Sequence, residues 1–222
     1  MVGQMEGYMD KEKVIAKIKD LGVVAVIRGN NAEQAVKISD ACIAGGVTAI
    51  EVAFTTPRAH EVIKTLVDKY ADNKEVVIGA GTVLDPETAR IAILNGAEFV
   101  VSPSINLATI KLCNRYRIAC MPGTTTIEGV LSAMEAGADI VKIFPGEIVG
   151  TKLIKAIKGP VPQAQLMPTG GVSAENLHEW LAAGCVAVGA GGSLTAGAKT
   201  GDYELITKTA VKFVDAVKVA RS

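Results

Sequence analysis

The stretch Asp139-Ile140-Val141-Lys142-Ile143-Phe144-Pro145-Gly146 contains the pattern that decides the fold of this chain. Its run of β-branched and aromatic residues lies between Gly137 and a proline–glycine breaker, which predicts a strand covered on both faces. Lys142 stands in the middle of this strand, although lysine is rarely buried unless it is paired or functional. In a desolvated site a lysine amine loses its charge more readily and can attack a carbonyl group. Lys142 is therefore either a Schiff-base nucleophile or a paired core charge.

Apolar runs of this kind recur along the whole chain and alternate with segments of helical spacing. The eight runs cover residues 23–27, 49–54, 76–78, 99–101, 118–121, 140–144, 164–167 and 186–188. The helical segments cover about residues 31–44, 55–70, 85–96, 107–115, 127–136, 151–157 and 173–182, with a leading helix at 10–19 and a closing helix at 203–219. Strands that alternate with helices in this way predict an α/β fold with a parallel sheet.

Eight strand–helix units predict a compact, closed (β/α)8 TIM barrel with an extra N-terminal helix. The alternative is an open doubly wound sheet, which requires a topological switch point, and we identify no such point by inspection. No linker or change in composition divides the chain. We therefore expect a single (β/α)8 domain over residues 1–222, with residues 1–9 as a flexible extension.

Composition excludes several classes of protein. The chain has 23 basic and 23 acidic residues, so no overall field attracts nucleic acid or a membrane surface. It has no uncharged apolar stretch long enough to span a bilayer, and its N-terminus lacks the charged and apolar regions of a secretory signal. The four cysteines are far apart in sequence, and only two histidines are present. We expect reduced, buried thiols, no metal site and a cytoplasmic location.

Two charges, Lys142 and Glu51, lie inside apolar strands. Side chains alternate along a strand, so each can point into the barrel. A structural ion pair is one interpretation, because ion-pair networks also bury charge. The other interpretation makes Lys142 the nucleophile and Glu51 the group that transfers protons beside it.

Glycine-rich segments follow the seventh and eighth strands, at Gly170-Gly171 and at Gly191-Gly192-Ser193. In barrels this location commonly binds phosphate through backbone N–H groups, and the Ser193 hydroxyl can add a donor. Tight turns also use glycine pairs, so plain turns without a ligand remain the alternative.

Three further polar residues end strands at the same mouth of the predicted barrel. Arg28 follows the first strand and can hold a carboxylate with two parallel hydrogen bonds, or it is an ordinary surface arginine. Thr82 and Thr169 follow the third and seventh strands and are small hydroxyl donors, or plain strand-end threonines.

Six motifs resemble those of a known family in their order and spacing. They are Ile50-Glu51-Val52, Gly79-Ala80-Gly81-Thr82-Val83, Val101-Ser102-Pro103, Met121-Pro122-Gly123, Val141-Lys142-Ile143-Phe144-Pro145 and Pro168-Thr169-Gly170-Gly171-Val172. Over about residues 23–195 the chain resembles the class I 2-keto-3-deoxy-6-phosphogluconate (KDPG) and 4-hydroxy-2-oxoglutarate (KHG) aldolases. The resemblance implies a (β/α)8 barrel, a homotrimer, a lysine Schiff base and no metal or other cofactor.

The resemblance also implies roles for individual residues. Lys142 is similar in position to the Schiff-base lysine, and Glu51 to the general acid/base. Thr82 corresponds to the contact with the pyruvate carboxylate, with Pro103 near it, and Thr169 to the residue facing the substrate hydroxyls. The glycines after strands seven and eight, with Ser193, match the phosphate cradle.

One position departs from part of the family. Some members carry an arginine four residues after the glutamate, where this chain has Thr55. Others place an arginine at the end of the first strand, as Arg28 stands here, so we assign the carboxylate clamp to Arg28. Thr169 favours KDPG over its galactonate epimer, since related enzymes for the epimer tend to have valine there.

The expected function is cleavage of KDPG, a phosphorylated 2-keto sugar acid of Entner–Doudoroff metabolism, to pyruvate and D-glyceraldehyde 3-phosphate. Cleavage of KHG to pyruvate and glyoxylate is a further expected activity. Alternatives are an aldolase for the galactonate epimer (KDPGal), a sugar-phosphate isomerase or epimerase with Glu51 as its base, and a non-catalytic protein that binds phosphorylated metabolites. Neither of the last two explains why a lysine and a glutamate both lie inside strands.

Overall fold

A computed structural model describes residues 10–222, and the extension expected at residues 1–9 lies outside the described part. The strands are β1 (Val23–Ile27), β2 (Ala49–Ala53), β3 (Val77–Gly81), β4 (Phe99–Val101), β5 (Ala119–Met121), β6 (Gly123–Thr124), β7 (Val141–Ile143), β8 (Leu166–Pro168) and β9 (Val188–Ala190). The helices are α1 (Lys11–Leu21), α2 (Ala32–Ala44), α3 (Ala59–Lys69), α4 (Pro86–Leu94), α5 (Leu107–Arg115), α6 (Ile127–Glu135), α7 (Gly146–Lys158), α8 (Leu177–Ala182) and α9 (Tyr203–Arg221), with a short 3-10 helix at Ala196–Lys199. Strands and helices alternate as the apolar runs predict.

The strands form a curled parallel sheet in two hydrogen-bonded parts. One part has the order β5-β4-β3-β2-β1-β9, and the other has the order β6-β7-β8. Only Pro122 separates β5 from β6 along the chain, and a parallel bridge between Thr169 and Gly189 links the end of β8 to β9. The prediction of a parallel α/β fold is confirmed, and all carboxyl ends of the strands face the same side.

Apolar side chains pack in two layers, one between the sheet and the helices and one on the inner side of the sheet. In the inner layer, Val14 and Ile18 of α1 pack against residues at the beginnings of strands, including Val24, Ala49 and Val77. Helix α1 thus covers the amino ends of the strands. Because that end is covered, the carboxyl ends are left to build a binding site.

Several strand boundaries differ from the prediction, and at β3 and β9 they do so because glycine residues belong to the strands. Strand β3 continues to Gly81, whereas the apolar run predicted its end near residue 78. A Cβ on Gly79 would lie 2.4 Å from the Phe99 ring, and one on Gly81 would lie 2.0 Å from Glu51 Oε1. Strand β9 likewise includes Gly189, where a Cβ would lie 2.3 Å from Thr169 Oγ1. The sheet needs glycine at these positions to leave room for neighbouring side chains.

Three helix starts also differ from the prediction. Helix α3 begins at Ala59 rather than near 55, because a turn follows β2. Helix α7 begins at Gly146 rather than near 151, because a first turn precedes a break at Gly150, whose φ is 63°. Helix α8 begins at Leu177 rather than at the predicted cap Ser173. There the Asn176 side chain accepts a hydrogen bond from the Ser173 N–H at 2.9 Å, so a turn occupies the space before the helix.

Candidate active site

Lys142 and Glu51 meet on the inner side of the sheet. Lys142 is the central residue of β7 and Glu51 the central residue of β2, and their side chains are 5% and 1% exposed. Lys142 Nζ lies 3.9 Å from Glu51 Oε1. This distance is within the range of an ion pair but longer than a direct N–H···O hydrogen bond, for which about 2.7–3.2 Å is typical. The two charges that the sequence singles out are neighbours, and a small gap separates them.

The oxygens of the Glu51 carboxylate are free to accept hydrogen bonds. Within residues 10–222, neither carboxylate oxygen of Glu51 accepts a hydrogen bond. The Phe144 ring centroid lies 5.1 Å from Lys142 Nζ and gives the amine an apolar neighbour with cation–π geometry. Buried polar atoms are usually hydrogen-bonded, and exceptions require an explanation such as a catalytic role. A carboxylate with free lone pairs beside an amine can take or return a proton.

Thr82 and Thr169 depart from ordinary strand-end geometry. Thr82 has φ 56°, a left-handed conformation that is unusual for a β-branched residue and that concentrates at functional sites. Thr169 is 6% exposed, and its hydroxyl has no hydrogen-bond partner among the described residues. The structure therefore singles out both threonines, which the sequence alone left open as plain strand-end residues.

Pro103 follows β4 and is fixed through its backbone. A Cβ on Gly123 would lie 2.4 Å from the Pro103 carbonyl oxygen, so the segment after β4 is in close contact with strand β6. Gly123 pairs with Lys142 in the sheet. Pro103 therefore lies one strand away from the lysine, next to the strand that flanks it.

The two glycine segments lie side by side after β8 and β9. Gly170 and Gly171 have φ values of 96° and 67°, which L side chains rarely adopt. The Ser193 hydroxyl donates to the Val172 carbonyl at 2.5 Å and so ties the two segments together. In the described part of the chain, the backbone N–H groups of Gly171, Gly192 and Ser193 donate to no protein acceptor. Free N–H groups on adjacent glycine loops can bind an anion.

Arg28 follows β1 and lies beside the second of these segments. Strand β1 pairs with β9 in a register that sets Ala25 opposite Ala190. Arg28 Nη1 is 3.6 Å from the position that a Cβ on Gly191 would take. The side chain is exposed and forms no ion pair or hydrogen bond within residues 10–222. Its guanidinium is thus available to an acidic ligand at the carboxyl ends of the strands.

Sequence reasoning missed two residues near this site. Gly81 ends β3 and makes room for the Glu51 carboxylate, a role that the motif containing it did not reveal. Thr56 follows β2, is 2% exposed and accepts a hydrogen bond from the Gly29 N–H at 3.2 Å. Nothing in the run Thr55-Thr56-Pro57 marks the second threonine as buried, because the contact joins two loops that are distant in sequence.

The described residues also bear on metal binding, cysteine chemistry and membrane insertion. No group of three or more His, Cys, Asp or Glu side chains among them could hold a metal ion. The four cysteines are buried and free, and burial raises the pKa of the Cys42 and Cys185 thiols to about 12. None of the helices within residues 10–222 is long and apolar enough to cross a membrane.

Comparison with known proteins gives consistent matches. The model of a family described as KDPG and KHG aldolase matches residues 14–209. The chain is 36% identical over 172 residues to 2-dehydro-3-deoxy-phosphogluconate aldolase of Haemophilus influenzae, covering 77% of this chain and 80% of that protein. It is 34% identical over 201 residues to 2-dehydro-3-deoxy-6-phosphogalactonate aldolase of Escherichia coli, covering 90% and 96%.

A solved structure adds a chemical observation. The KDPG aldolase of Legionella pneumophila, crystallised with pyruvate captured as a covalent carbinolamine intermediate, superposes with a TM-score of 0.79. The two chains are 29% identical, and the match covers 88% of this chain and 95% of that one.

Proposed function

The chain belongs to the KDPG and KHG aldolase family and is an aldolase, a lyase; on that premise we propose that it cleaves KDPG through a Schiff base on Lys142. The products are pyruvate and D-glyceraldehyde 3-phosphate. The observation that carries this proposal is the buried Lys142 amine, in mid-strand, 3.9 Å from the equally buried Glu51 carboxylate. The carbinolamine in the Legionella pneumophila relative supports a covalent route.

The first steps join the substrate to Lys142. The uncharged amine attacks C2 of the 2-keto acid and forms a C–N bond. A proton passes from the nitrogen to the former carbonyl oxygen, which gives a neutral carbinolamine. Glu51 relays a proton to that hydroxyl, which leaves as water, and a protonated imine remains. The unpaired oxygens of Glu51 support this role, because a carboxylate that is not committed to a structural hydrogen bond can exchange protons.

Cleavage then uses the imine as an electron sink. Glu51 accepts the proton of the C4 hydroxyl, the C3–C4 bond breaks, and its electron pair moves into the imine to form an enamine. D-glyceraldehyde 3-phosphate departs as the aldehyde. Protonation of the enamine at C3 and hydrolysis of the resulting imine release pyruvate and restore the free Lys142 amine. Every proton that Glu51 takes is returned within the cycle, and the imine on Lys142 supplies the electron sink.

The remaining residues would hold the two ends of the substrate. Thr82, with Pro103 near it, contacts the carboxylate, and Thr169 faces the hydroxyl groups. We assign Arg28 to the carboxylate as a clamp, and its position beside Gly191 also brings it close to the phosphate cradle. The phosphate lies against the backbone of Gly170, Gly171, Gly191, Gly192 and Ser193. The left-handed glycines and the free N–H groups support this cradle. Binding energy from the remote phosphate can orient the reacting carbon.

Larger-scale features of the family come with the proposal. We infer a single domain whose strands close into an eight-stranded barrel, in which β5 and β6 count as one strand. The short Pro122 interruption and the Thr169–Gly189 bridge support this closure.

We also infer a cytoplasmic homotrimer. Exposed apolar side chains on helices α4 to α7 support an interface there, namely Ile91, Leu94, Leu107, Ile127, Leu131 and Ile148. Light scattering on the wild type and on Ile148→Asp, whose native side chain is 77% exposed, tests this assembly.

The decisive experiment is borohydride trapping with pyruvate, followed by peptide mapping. A reduced adduct on Lys142 is expected, and its absence contradicts the Schiff-base proposal. Lys152 and Lys155 on α7 are internal controls, because they are present in the same chain but lie outside the strands.

KDPGal is the second candidate substrate, because the Escherichia coli relative named for the phosphogalactonate covers 90% of this chain. Comparing kcat/KM on KDPG, KDPGal and KHG, with pyruvate release as the readout, separates the three. We expect the highest value for KDPG because Thr169 offers a hydroxyl at the position discussed above. A higher value for KDPGal would assign the galactonate epimer instead.

A further inference from the structure

We propose that Thr56 is a positioning residue that fixes the backbone next to Arg28 and thereby tightens binding of the substrate carboxylate. The inference rests on the proposed function, because it assumes that Arg28 binds an acidic group of the substrate. Thr56 itself contacts no substrate in this proposal. It acts through the loop between β1 and α2, which carries the arginine.

The contact between Thr56 and this loop is buried and specific. The threonine is 2% exposed, and its Oγ1 accepts a hydrogen bond from the Gly29 N–H at 3.2 Å. Thr56 is itself held by a turn after β2, in which its N–H donates to the Ala53 carbonyl at 2.9 Å. The hydroxyl therefore ties the residue that follows Arg28 to the end of the neighbouring strand.

The opposite side of the loop is pinned as well. A Cβ on Gly29 would lie 2.8 Å from the Ala35 backbone nitrogen, so Gly29 packs directly on the first turn of α2. The Asn30 N–H donates to Gln34 Oε1 at 2.7 Å, and the Gln34 N–H donates to Asn31 Oδ1 at 2.8 Å. On the side that faces β2, the hydrogen bond from the Gly29 N–H to the Thr56 hydroxyl holds the same loop.

The position of the Arg28 side chain depends on the backbone of this loop, because no described residue bonds to its guanidinium. Its guanidinium forms no ion pair or hydrogen bond within residues 10–222 and is exposed beside Gly191. Arginine side chains have many rotamers, and ordering one on binding costs affinity. A fixed backbone limits the positions that the guanidinium samples. A more mobile backbone at Arg28 should lower the affinity for the substrate carboxylate in the ground state. It should leave the rate of the reaction at Lys142 unchanged.

The test compares Thr56→Val, which removes the acceptor and keeps the shape, with Thr56→Ser, which keeps the hydroxyl. We expect Thr56→Val to raise KM for KDPG and the half-saturating pyruvate concentration for borohydride trapping by about three- to tenfold, the factor for one hydrogen bond. The value of kcat should stay within about twofold of wild type, which is the signature of lost uniform binding. Thr56→Ser should return KM to near the wild-type value. In an Arg28→Met background, Thr56→Val should have no further effect on either constant.

Thr207→Val is the matched control, because that hydroxyl donates to the Ala41 carbonyl at 3.0 Å and ties α9 to α2 away from the site. It should leave KM unchanged. Thr56→Ala repeats the test if Thr56→Val does not fold, and failure of both variants to fold would make Thr56 a core residue and overturn the proposal. An unchanged KM in Thr56→Val, or an undiminished effect in the Arg28→Met background, would also overturn it. If wild type forms no pyruvate adduct, the proposed function fails instead.

Discussion

Two lysine–carboxylate pairs involve the same stretch of chain, one just before β7 and one at the centre of β7, and they differ in how well they are bonded. At the amino end of β7, Lys11 Nζ lies 2.7 Å from Asp139 Oδ2 and also donates to Asn114 Oδ1 at 3.0 Å. In the strand itself, Lys142 Nζ lies 3.9 Å from Glu51 Oε1, and Glu51 accepts no hydrogen bond among the described residues. The pair of Lys11 and Asp139 is the more exposed of the two, at 13% and 41%, and yet it has the shorter contact and the additional hydrogen bond.

This difference separates a structural role from a chemical one. A pair that joins α1 to the start of β7 contributes most when its charges are close and hydrogen-bonded. A buried pair with a gap is unfavourable, because desolvation can exceed the Coulomb attraction. Such an arrangement is understandable where a reacting group enters the gap between the two side chains. We therefore expect substitutions in the two pairs to affect different properties.

The largest expected difference is between Lys142→Met and Lys11→Met. Lys142→Met should abolish the borohydride adduct and lower kcat on the order of 10⁴-fold or more, as removal of a covalent nucleophile does in other enzymes. Lys11→Met should leave kcat and adduct formation unchanged, because its contacts are with Asn114 and Asp139. Steady-state kinetics and mass spectrometry of the trapped enzyme measure both. A catalytic defect in Lys11→Met would remove the distinction between the pairs.

The two carboxylates should differ next. Glu51→Gln should lower kcat for KDPG cleavage by about 10²–10⁴-fold, the usual contribution of a positioned acid/base group. Asp139→Asn should leave kcat within about twofold, since an amide at that position is remote from the proton transfers. Pyruvate release under saturating substrate is the measurement. Equal rates in Glu51→Gln and wild type would show that another group transfers the protons.

Stability should change in the opposite order. The double variant Lys142→Met/Glu51→Met removes the buried pair as a unit, and it should be neutral or more stable by about 1–4 kcal/mol. Lys11→Met should lose about 0.5–1 kcal/mol, because it removes charged hydrogen bonds from a pair that is only partly buried. Thermal unfolding should show these as Tm shifts of about 2–4 °C per kcal/mol. A destabilised double variant would mean that the buried pair also holds the fold together.

The smallest effect concerns an exposed cluster of charged side chains. Arg117 Nη2 lies 2.9 Å from Asp10 Oδ1, and this hydrogen bond lowers the pKa of Asp10 below 3.8. A carboxylate with a lowered folded-state pKa stabilises the fold above its unfolded value, and that contribution is lost as the pH falls through the folded value. Arg117→Ala should therefore lower Tm slightly near neutral pH and not at all well below pH 3.8. Thermal scans of both proteins over acid pH measure it, and a difference that persists in strong acid would contradict the assignment.

Much of the secondary structure followed from local pattern. Strands β1 (Val23–Ile27) and β4 (Phe99–Val101) and helix α5 (Leu107–Arg115) have the predicted bounds. In each, a short apolar run or a helical period lies between clear breakers, so neighbouring residues suffice to define it. The end of β3 and the position of β9 were misplaced because glycine is usually a breaker. In these strands glycine is instead required by Phe99, Glu51 and Thr169, which are distant in sequence.

For the candidate site, too, some features followed from the sequence and others only from the tertiary structure. The sequence by itself determined the alternation of strands and helices, the lysine and glutamate inside apolar strands, and the glycines after β8 and β9, because these are properties of residue type and spacing. Only the tertiary structure decided that Lys142 and Glu51 lie 3.9 Å apart, that Arg28 lies beside Gly191 and that Thr56 holds Gly29. Each of those contacts depends on which strands are neighbours and in what register they pair. Register is set by the packing of the whole sheet, and no local segment of the sequence contains it.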